Sequence, residues 1–113
     1  MWLAVVRGDG SPHLTPVWFL YDEGTWWIST AAANRKVAHL GANDRVSLAL
    51  PDAQRPLVAQ GVATIHTGPA PAWVIAAFAQ KYRGWDITDE DRDGPRVLVE
   101  VCTTRWLMSG SAR

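Results

Sequence analysis

"DGSPHLTPVWFLYDEGTWWIST", residues 9–30, alternates turn-forming and strand-forming residues and decides the fold class. The pair Asp9-Gly10 tolerates the positive φ of a tight hairpin turn. The run His13–Tyr21 is rich in β-branched and aromatic residues, and "DEG" separates it from the similar run "TWWIST". Together with the apolar run that begins at Leu3, these segments predict a meander of three strands.

The downstream sequence predicts two short helices and three further strands. Asn34 is a suitable N-cap for a helix of about two turns that stops near Gly41. "RVSLAL" and "LVAQGVATIH" then predict a fourth and a fifth strand, with a bulge at Gly61. Pro71 suits the first position of a second helix, which ends before Gly84. "RVLVEV" alternates as a sixth strand and is followed by a tail.

Six short strands and two helices favour a small closed β-barrel over a sandwich, because closure leaves no strand edge unpaired. The length of 113 residues supports one domain, residues 1–113. Pro16 lacks an N–H group for the ladder. We therefore expect it at an edge, at a bulge or where the backbone turns away.

Composition excludes several partners. Eleven basic and eleven acidic residues cancel, which argues against nucleic acid and anionic membranes as partners. No apolar run approaches the roughly 20 residues of a membrane span. The single cysteine, Cys102, excludes an internal disulfide, and the chain is expected to be cytoplasmic. Seven tryptophans favour a protein interface or a ring-shaped ligand.

One formal pattern is rejected on context. The spacing of a calcium loop is matched by Asp89, Asp91, Asp93, Gly94 and Glu100. The last ligand of such a loop sits on a helix, whereas "VLVEVC" is β-branched at alternate positions and predicts a strand. The loop is therefore interpreted as a solvated acidic turn.

No motif for metal or nucleophilic chemistry emerges. His13, His39 and His66 share no ligand spacing and are interpreted as ordinary surface residues. Cys102 lies in a predicted strand without a neighbouring base, which favours a buried, inert thiol.

The start of the first helix predicts an anion site. Ser29 and Thr30 end a strand, and Asn34, Arg35 and Lys36 open the helix. Free backbone N–H groups and the positive end of the helix dipole attract phosphate, and the two cations neutralise its charge. From spacing alone, a solvated Arg-Lys pair that binds nothing is an equally good interpretation.

The ordered combination of "SPHLTPVWF", "IST" and "RK" resembles the pyridoxamine 5'-phosphate oxidase-like split-barrel family. The resemblance is good over residues 3–66 and looser beyond. It implies a six-stranded split β-barrel with two short helices that binds flavin mononucleotide (FMN) or the deazaflavin coenzyme F-420. It also implies a homodimer with two cofactor sites at the subunit boundary. Members usually have a helix before the first strand, whereas this chain begins almost on that strand.

The resemblance assigns several residues to the cofactor. It implies that Thr15, Pro16, Val17 and Trp18 run along the ring, that Ser29 and Thr30 lie near the ribityl chain and phosphate, that Arg35 and Lys36 after Asn34 grip the phosphate, and that Trp106 of the second subunit covers the cofactor.

The implied activity is hydride transfer between the cofactor and a small organic substrate. The protein then positions two planar molecules, so no catalytic residue is named. Tyr82, Arg83 and Trp85 are candidates for the border of the substrate space. Two other hypotheses stay open: a non-catalytic flavin or haem carrier or sensor with the same barrel, and a barrel that binds single-stranded nucleic acid through exposed aromatics. The neutral charge counts against the last.

Overall fold

The computed structural model describes residues 1–109, which form seven strands and two helices. In chain order these elements are β1 (Trp2–Val6), β2 (Pro12–Pro16), β3 (Leu20–Asp22), β4 (Thr25–Ala31), α1 (Arg35–Ala42), β5 (Arg45–Ala49), β6 (Leu57–His66), α2 (Ala72–Lys81) and β7 (Arg96–Ser109). The strands form one antiparallel sheet in the order β2-β1-β5-β6-β7-β4-β3. The mainly β architecture is confirmed, with seven strands instead of six.

The extra strand arises because the predicted strand His13–Tyr21 is interrupted. Pro16 ends β2, and Val17 makes one more pair in the same register: the Val17 N–H donates to the carbonyl of Met1, and the amino group of Met1 donates to the Val17 carbonyl. From Leu20 onward the chain pairs with β4 instead of β1. The two edge strands of the sheet, β2 and β3, are therefore joined by only three residues, and this is where the barrel is split.

The last strand is longer than predicted. The sequence alone suggests a strand that stops at Val101 and then a tail, whereas β7 continues to Ser109 alongside β6. Cys102 in this strand is exposed, so the expectation of a buried thiol was wrong. Two register shifts, at Val58/Ala59 and at Gln60/Gly61, let the two long strands stay paired while they bend. The second shift lies at Gly61, where a bulge was predicted, but the extra residue, Thr104, belongs to β7.

Buried and partly exposed residues alternate along the strands, and the buried ones form the barrel core. In β4, Trp26, Ile28 and Thr30 are buried on the inner face, while the residues between them are partly exposed on the outer face. The inner residues pack with Leu3 and Val99 of neighbouring strands in one hydrophobic cluster. The inner face of β4 thus ends at a polar residue, Thr30, beside the start of α1.

The helices lie at different places on the barrel. Asn34 is the N-cap of α1, as predicted, and the helix contacts β1 and β6. Pro71 is the N-cap of α2, one residue before the predicted position, and Val74 and Phe78 of this helix pack on the outer face against Leu98. Within residues 1–109, neither helix is long and apolar enough to cross a membrane.

Candidate functional site

The connection from β4 to α1 fixes the backbone of the predicted anion site. The Asn34 side chain accepts a 3.0 Å hydrogen bond from the Lys36 N–H, which caps the helix. No acidic residue occupies the first turn of α1. The dipole and the free N–H groups at this end of the helix are therefore not balanced by a local carboxylate.

Lys36 turns inward from this helix start. Its side chain is only 6% exposed, and Nζ donates a 3.1 Å hydrogen bond to Oγ1 of Thr30, which is also buried. An ammonium group has three donors, and the neutral hydroxyl satisfies one of them. Within residues 1–109, neither of the two ion pairs involves Lys36.

The charge of Lys36 is therefore buried without a counter-ion in the described chain. Burial lowers the pKa of its ammonium group, and the positive charge of Arg96 lowers this pKa further. A buried, unpaired cation destabilises a fold. The arrangement can accept an anion, which would supply both the missing charge and the missing hydrogen-bond acceptors.

The two hydroxyls that were predicted together lie on opposite faces of β4. Ser29 accepts a 3.2 Å hydrogen bond from Nε of Arg96 on the outer face, whereas Thr30 bonds Lys36 on the inner face. Arg35 is exposed, unlike its neighbour Lys36. The structure thus brings Thr30, Asn34 and Lys36 together and leaves Ser29 with Arg96.

The stretch Thr15–Trp18 spans the split between β2 and β3. The main-chain groups of Val17 are bonded to Met1. Trp18 is 54% exposed, and its ring stacks on Tyr82 with centroids 4.3 Å apart and an interplanar angle of 2°. Its flat face is thus held by a residue from the end of α2.

Tyr82 and Trp85 build the surroundings of Trp18. The Tyr82 hydroxyl accepts from the Phe19 N–H at 2.8 Å and donates to the Phe19 carbonyl at 3.1 Å. Trp85 meets the Trp18 ring edge-to-face at 5.2 Å. Two of the three candidates for the substrate border, Tyr82 and Trp85, therefore contact the predicted ring-binding stretch.

Trp106 lies far from Lys36 within one chain. Thr30 pairs with Val97 at one end of the β4–β7 ladder, and Trp106 is nine residues further along β7, a path of about 30 Å. Its half-exposed ring lies 6.1 Å from the rings of Tyr21 and Trp26. One chain does not bring Trp106 to the anion site.

Sequence reasoning missed a cleft on the outer face of β4. A cavity of about 430 Å³ lies beside Trp27, His66, Pro71 and Leu98. His66 and Glu100 form a 2.8 Å hydrogen bond next to it. Alternation along β4 puts this cleft on the side of the sheet away from Lys36. Nothing local in the sequence predicts it, because its walls come from three separate segments.

Comparison with known proteins gives one family match. The model of the family described as "Pyridoxamine 5'-phosphate oxidase" matches residues 1–110. No curated protein sequence matches the chain significantly.

Several solved structures are similar. One titled "F420 Reductase" is 26% identical, with a TM-score of 0.75 and coverage of 94% of this chain and 86% of that one. HutZ, the haem storage protein of Vibrio cholerae, is 19% identical, with a TM-score of 0.78 and coverage of 96% and 84%. HupZ of Group A Streptococcus is 20% identical, with a TM-score of 0.70 and coverage of 99% and 87%. These likenesses confirm the split-barrel fold.

Proposed function

Because the chain belongs to the pyridoxamine 5'-phosphate oxidase family, we propose that it binds FMN or coenzyme F-420 and transfers hydride between that cofactor and a small organic substrate. The observation that carries this proposal is the buried ammonium group of Lys36, which lacks a counter-ion within residues 1–109. Both cofactors contain a phosphate, which would neutralise this charge.

The residues at the start of α1 fit a phosphate group. Lys36 has two ammonium hydrogens left for phosphate oxygens after its bond to Thr30. Arg35 is exposed beside it and can add a bidentate contact. The Asn34 cap keeps the first turn of α1 in place. We therefore assign the phosphate to Thr30, Asn34, Arg35 and Lys36.

The ring is assigned to the stretch Thr15–Trp18 at the split of the barrel. Trp18 offers a half-exposed aromatic surface there, held by its stacking on Tyr82. Pro16 ends the ladder and leaves room for a ligand beside the strand edge. Tyr82 and Trp85 then border the substrate space, and Arg83 lies between them in sequence.

The bound cofactor would supply the hydride chemistry, and the protein would supply position. The stretch Thr15–Trp18 contains no acid, base or strong nucleophile in its sequence. Its role is therefore to hold two planar molecules in contact and to keep water from between them. We assign no catalytic residue.

We also propose that the chain acts as a homodimer. The outer faces of β2, β1 and β6 carry the exposed side chains of Leu14, Trp2 and Val62, and β5 lies between β1 and β6 in the same sheet. A groove of about 450 Å³ runs across this face beside Ser47 and Val62. A second copy would bury these apolar groups, and its Trp106 is proposed to cover the cofactor.

A second candidate is a carrier that binds flavin or haem without turnover. The lack of an acid or base in Thr15–Trp18 favours this candidate. A carrier also needs only to bind the phosphate, which is the role proposed for Lys36. The two candidates differ in whether the bound cofactor exchanges hydride with a nicotinamide or deazaflavin donor.

The test is an absorption spectrum of the freshly purified protein, followed by titration with FMN, F-420 and haemin. We expect Arg35→Ala combined with Lys36→Ala to weaken the cofactor that binds by about 100-fold, with the circular dichroism spectrum unchanged. The matched control is Arg92→Ala in an exposed loop. Unchanged affinity in the double variant would refute the phosphate assignment, and colour without turnover would favour the carrier.

A further inference from the structure

The half-exposed ring of Trp18 is the last of three near-parallel aromatic rings. Trp18 and Tyr82 stack with an interplanar angle of 2°, and Phe78 follows Tyr82 at 23° with ring centroids 6.1 Å apart. Phe78 is fully buried, so this aromatic row begins in the interior and ends at the split of the barrel. Because Tyr82 covers one face of the Trp18 ring, a flat ligand can stack only on the opposite face.

Trp85 lies along the side of this aromatic row. Its ring is nearly perpendicular to the other three, with interplanar angles between 86° and 89°. The ring centroid of Trp85 lies 5.2 Å from that of Trp18, 5.3 Å from that of Phe78 and 6.0 Å from that of Tyr82. In a closely packed cluster, the position of Trp85 therefore limits how far the Trp18 ring can shift sideways.

Arg96, the first residue of β7, contacts Trp85. Its guanidinium carbon lies 5.4 Å from the centroid of the Trp85 ring, which is within the range of a cation–π contact. The Arg96 side chain is only 12% exposed, and a cation–π contact is stronger where water is excluded. The contact also depends on the residue type, because lysine lacks the planar group that packs against an aromatic ring.

Two polar partners fix the Arg96 side chain. Nε donates to Oγ of Ser29 at 3.2 Å, and Nη1 lies 3.5 Å from Oδ2 of Asp93. The Asp93 carboxylate is half exposed, so this ion pair contributes little. Ser29 is thus the firmer anchor of Arg96 on the outer face of β4, while its neighbour Thr30 bonds Lys36 on the inner face.

We propose that Arg96, anchored by Ser29, is a positioning residue for the ring-binding surface of the site. It holds Trp85 against the aromatic row and thereby keeps Trp18 in the orientation that a flat ligand needs. Arg96 acts through Trp85 and does not itself contact the ligand. This inference rests on the proposed function, in which Thr15–Trp18 binds the ring of the cofactor.

The variant Arg96→Lys separates the position of the guanidinium group from its charge. Lysine keeps the positive charge that acts on the Lys36 ammonium group, and it loses the planar group beside Trp85. Contacts to the cofactor ring should therefore weaken, while contacts to its phosphate stay. Riboflavin, and the deazaflavin riboside without its phosphate, are the probes that report ring contacts alone.

The experiment measures the dissociation constants of FMN, F-420 and the two phosphate-free probes for the wild type and the variants. We expect Arg96→Lys to weaken the cofactor that binds and its phosphate-free probe by the same factor, about fivefold, the loss of one cation–π contact. Lys36→Ala should weaken the cofactor and leave the phosphate-free probe unchanged. Arg92→Lys, in an exposed loop, is the matched control and should change neither.

Coupling to Trp85 distinguishes positioning from a general loss of stability. In a Trp85→Leu background, Arg96→Lys should weaken cofactor binding by less than about 1.5-fold, because its partner is already absent. Ser29→Ala should act in the same direction as Arg96→Lys, by about twofold, through the lost hydrogen bond. The near-UV circular dichroism of the ligand-free protein should fall in both single variants, since it reports the fixed packing of the aromatic rings.

Unchanged affinity of Arg96→Lys for a cofactor that the wild type binds would overturn the positioning role alone. So would a full fivefold loss that persists in the Trp85→Leu background, since Arg96 would then not act through Trp85. If neither FMN nor F-420 binds the wild type, the proposed function fails and this inference fails with it.

Discussion

The ammonium group of Lys36 donates a 3.1 Å hydrogen bond to the hydroxyl of Thr30, and both side chains are at least 93% buried. This bond joins the last inner-facing residue of β4 to the first turn of α1. It leaves a full positive charge satisfied by one neutral group. Such an arrangement weakens the fold, and an anionic ligand would relieve the penalty.

Lys36→Met should stabilise the ligand-free protein by about 1 kcal/mol, because it removes a buried unpaired charge and keeps the length of the side chain. Folding lowers the pKa of Lys36 from its ordinary value of 10.5. The unfolded chain therefore holds the proton more tightly, and the penalty is fully present below the folded-state pKa. It fades as the pH rises from that value toward 10.5.

Urea unfolding at about pH 7 and about pH 10 checks this prediction. The gain in Lys36→Met should be larger at the lower pH. The other lysine of the chain, Lys81, is the control, since it is exposed and donates to the Phe19 carbonyl at 2.7 Å. Lys81→Met should not stabilise the protein. A loss of stability in Lys36→Met at neutral pH would show that its charge is already compensated.

Thr30→Val should destabilise the ligand-free protein by about 1–3 kcal/mol, because it removes the hydroxyl that accepts a hydrogen bond from the Lys36 ammonium group. Combined with Lys36→Met, the same change should be nearly neutral, since no buried charge is then left unsatisfied. A double-mutant cycle on chemical denaturation measures this coupling. Additive effects would mean that the two side chains do not interact.

Gly61→Ala should destabilise the barrel by about 2 kcal/mol or more through overpacking. A Cβ atom at Gly61 would lie 2.6 Å from Cγ1 of Val101 and 2.7 Å from the Cys102 carbonyl oxygen. Gly41 in α1 is the matched control, because a Cβ there meets nothing within 4 Å. Gly41→Ala should stabilise the protein by about 0.5–1 kcal/mol. Thermal unfolding of both variants tests this prediction. Equal melting temperatures for Gly61→Ala and Gly41→Ala would contradict the bulge geometry.

Val62→Arg should convert the proposed dimer into a monomer, because dimerisation would then bury a charge on the outer face of β6 beside the groove. Light scattering coupled to size-exclusion chromatography measures the mass. Gln80→Arg, on the exposed surface of α2, should leave the mass unchanged. A wild-type protein that elutes as a monomer at micromolar concentration would rule out the dimer.

The parts of the fold that depend on local signals were predicted from the sequence. Asn34 caps α1 through its own side chain, and Gly61 marks the bulge because only glycine lacks the clashing Cβ. The break after Pro16 was not predicted in full, since it depends on Leu20 and the residues after it pairing with β4 instead of β1. The strand propensity of the residues His13–Tyr21 cannot show that this run pairs first with one strand and then with another.

The candidate site divides in the same way. The type and spacing of Arg35 and Lys36 predicted an anion site, but not that Lys36 is buried while Arg35 is exposed. That difference depends on how α1 sits at the end of the barrel. Ser29 and Thr30 point to opposite faces because neighbouring residues of a strand alternate, and this could have been predicted from the sequence. The contact between Ser29 and Arg96 joins two distant parts of the chain, which spacing could not reveal.

A crystal structure of the protein with its bound cofactor tests the phosphate assignment most directly. We predict a phosphate oxygen within hydrogen-bond distance of both the Lys36 ammonium group and an N–H group in the first turn of α1. A phosphate bound elsewhere, with Lys36 still bonded to Thr30 alone, would contradict the assignment and the function proposed from it.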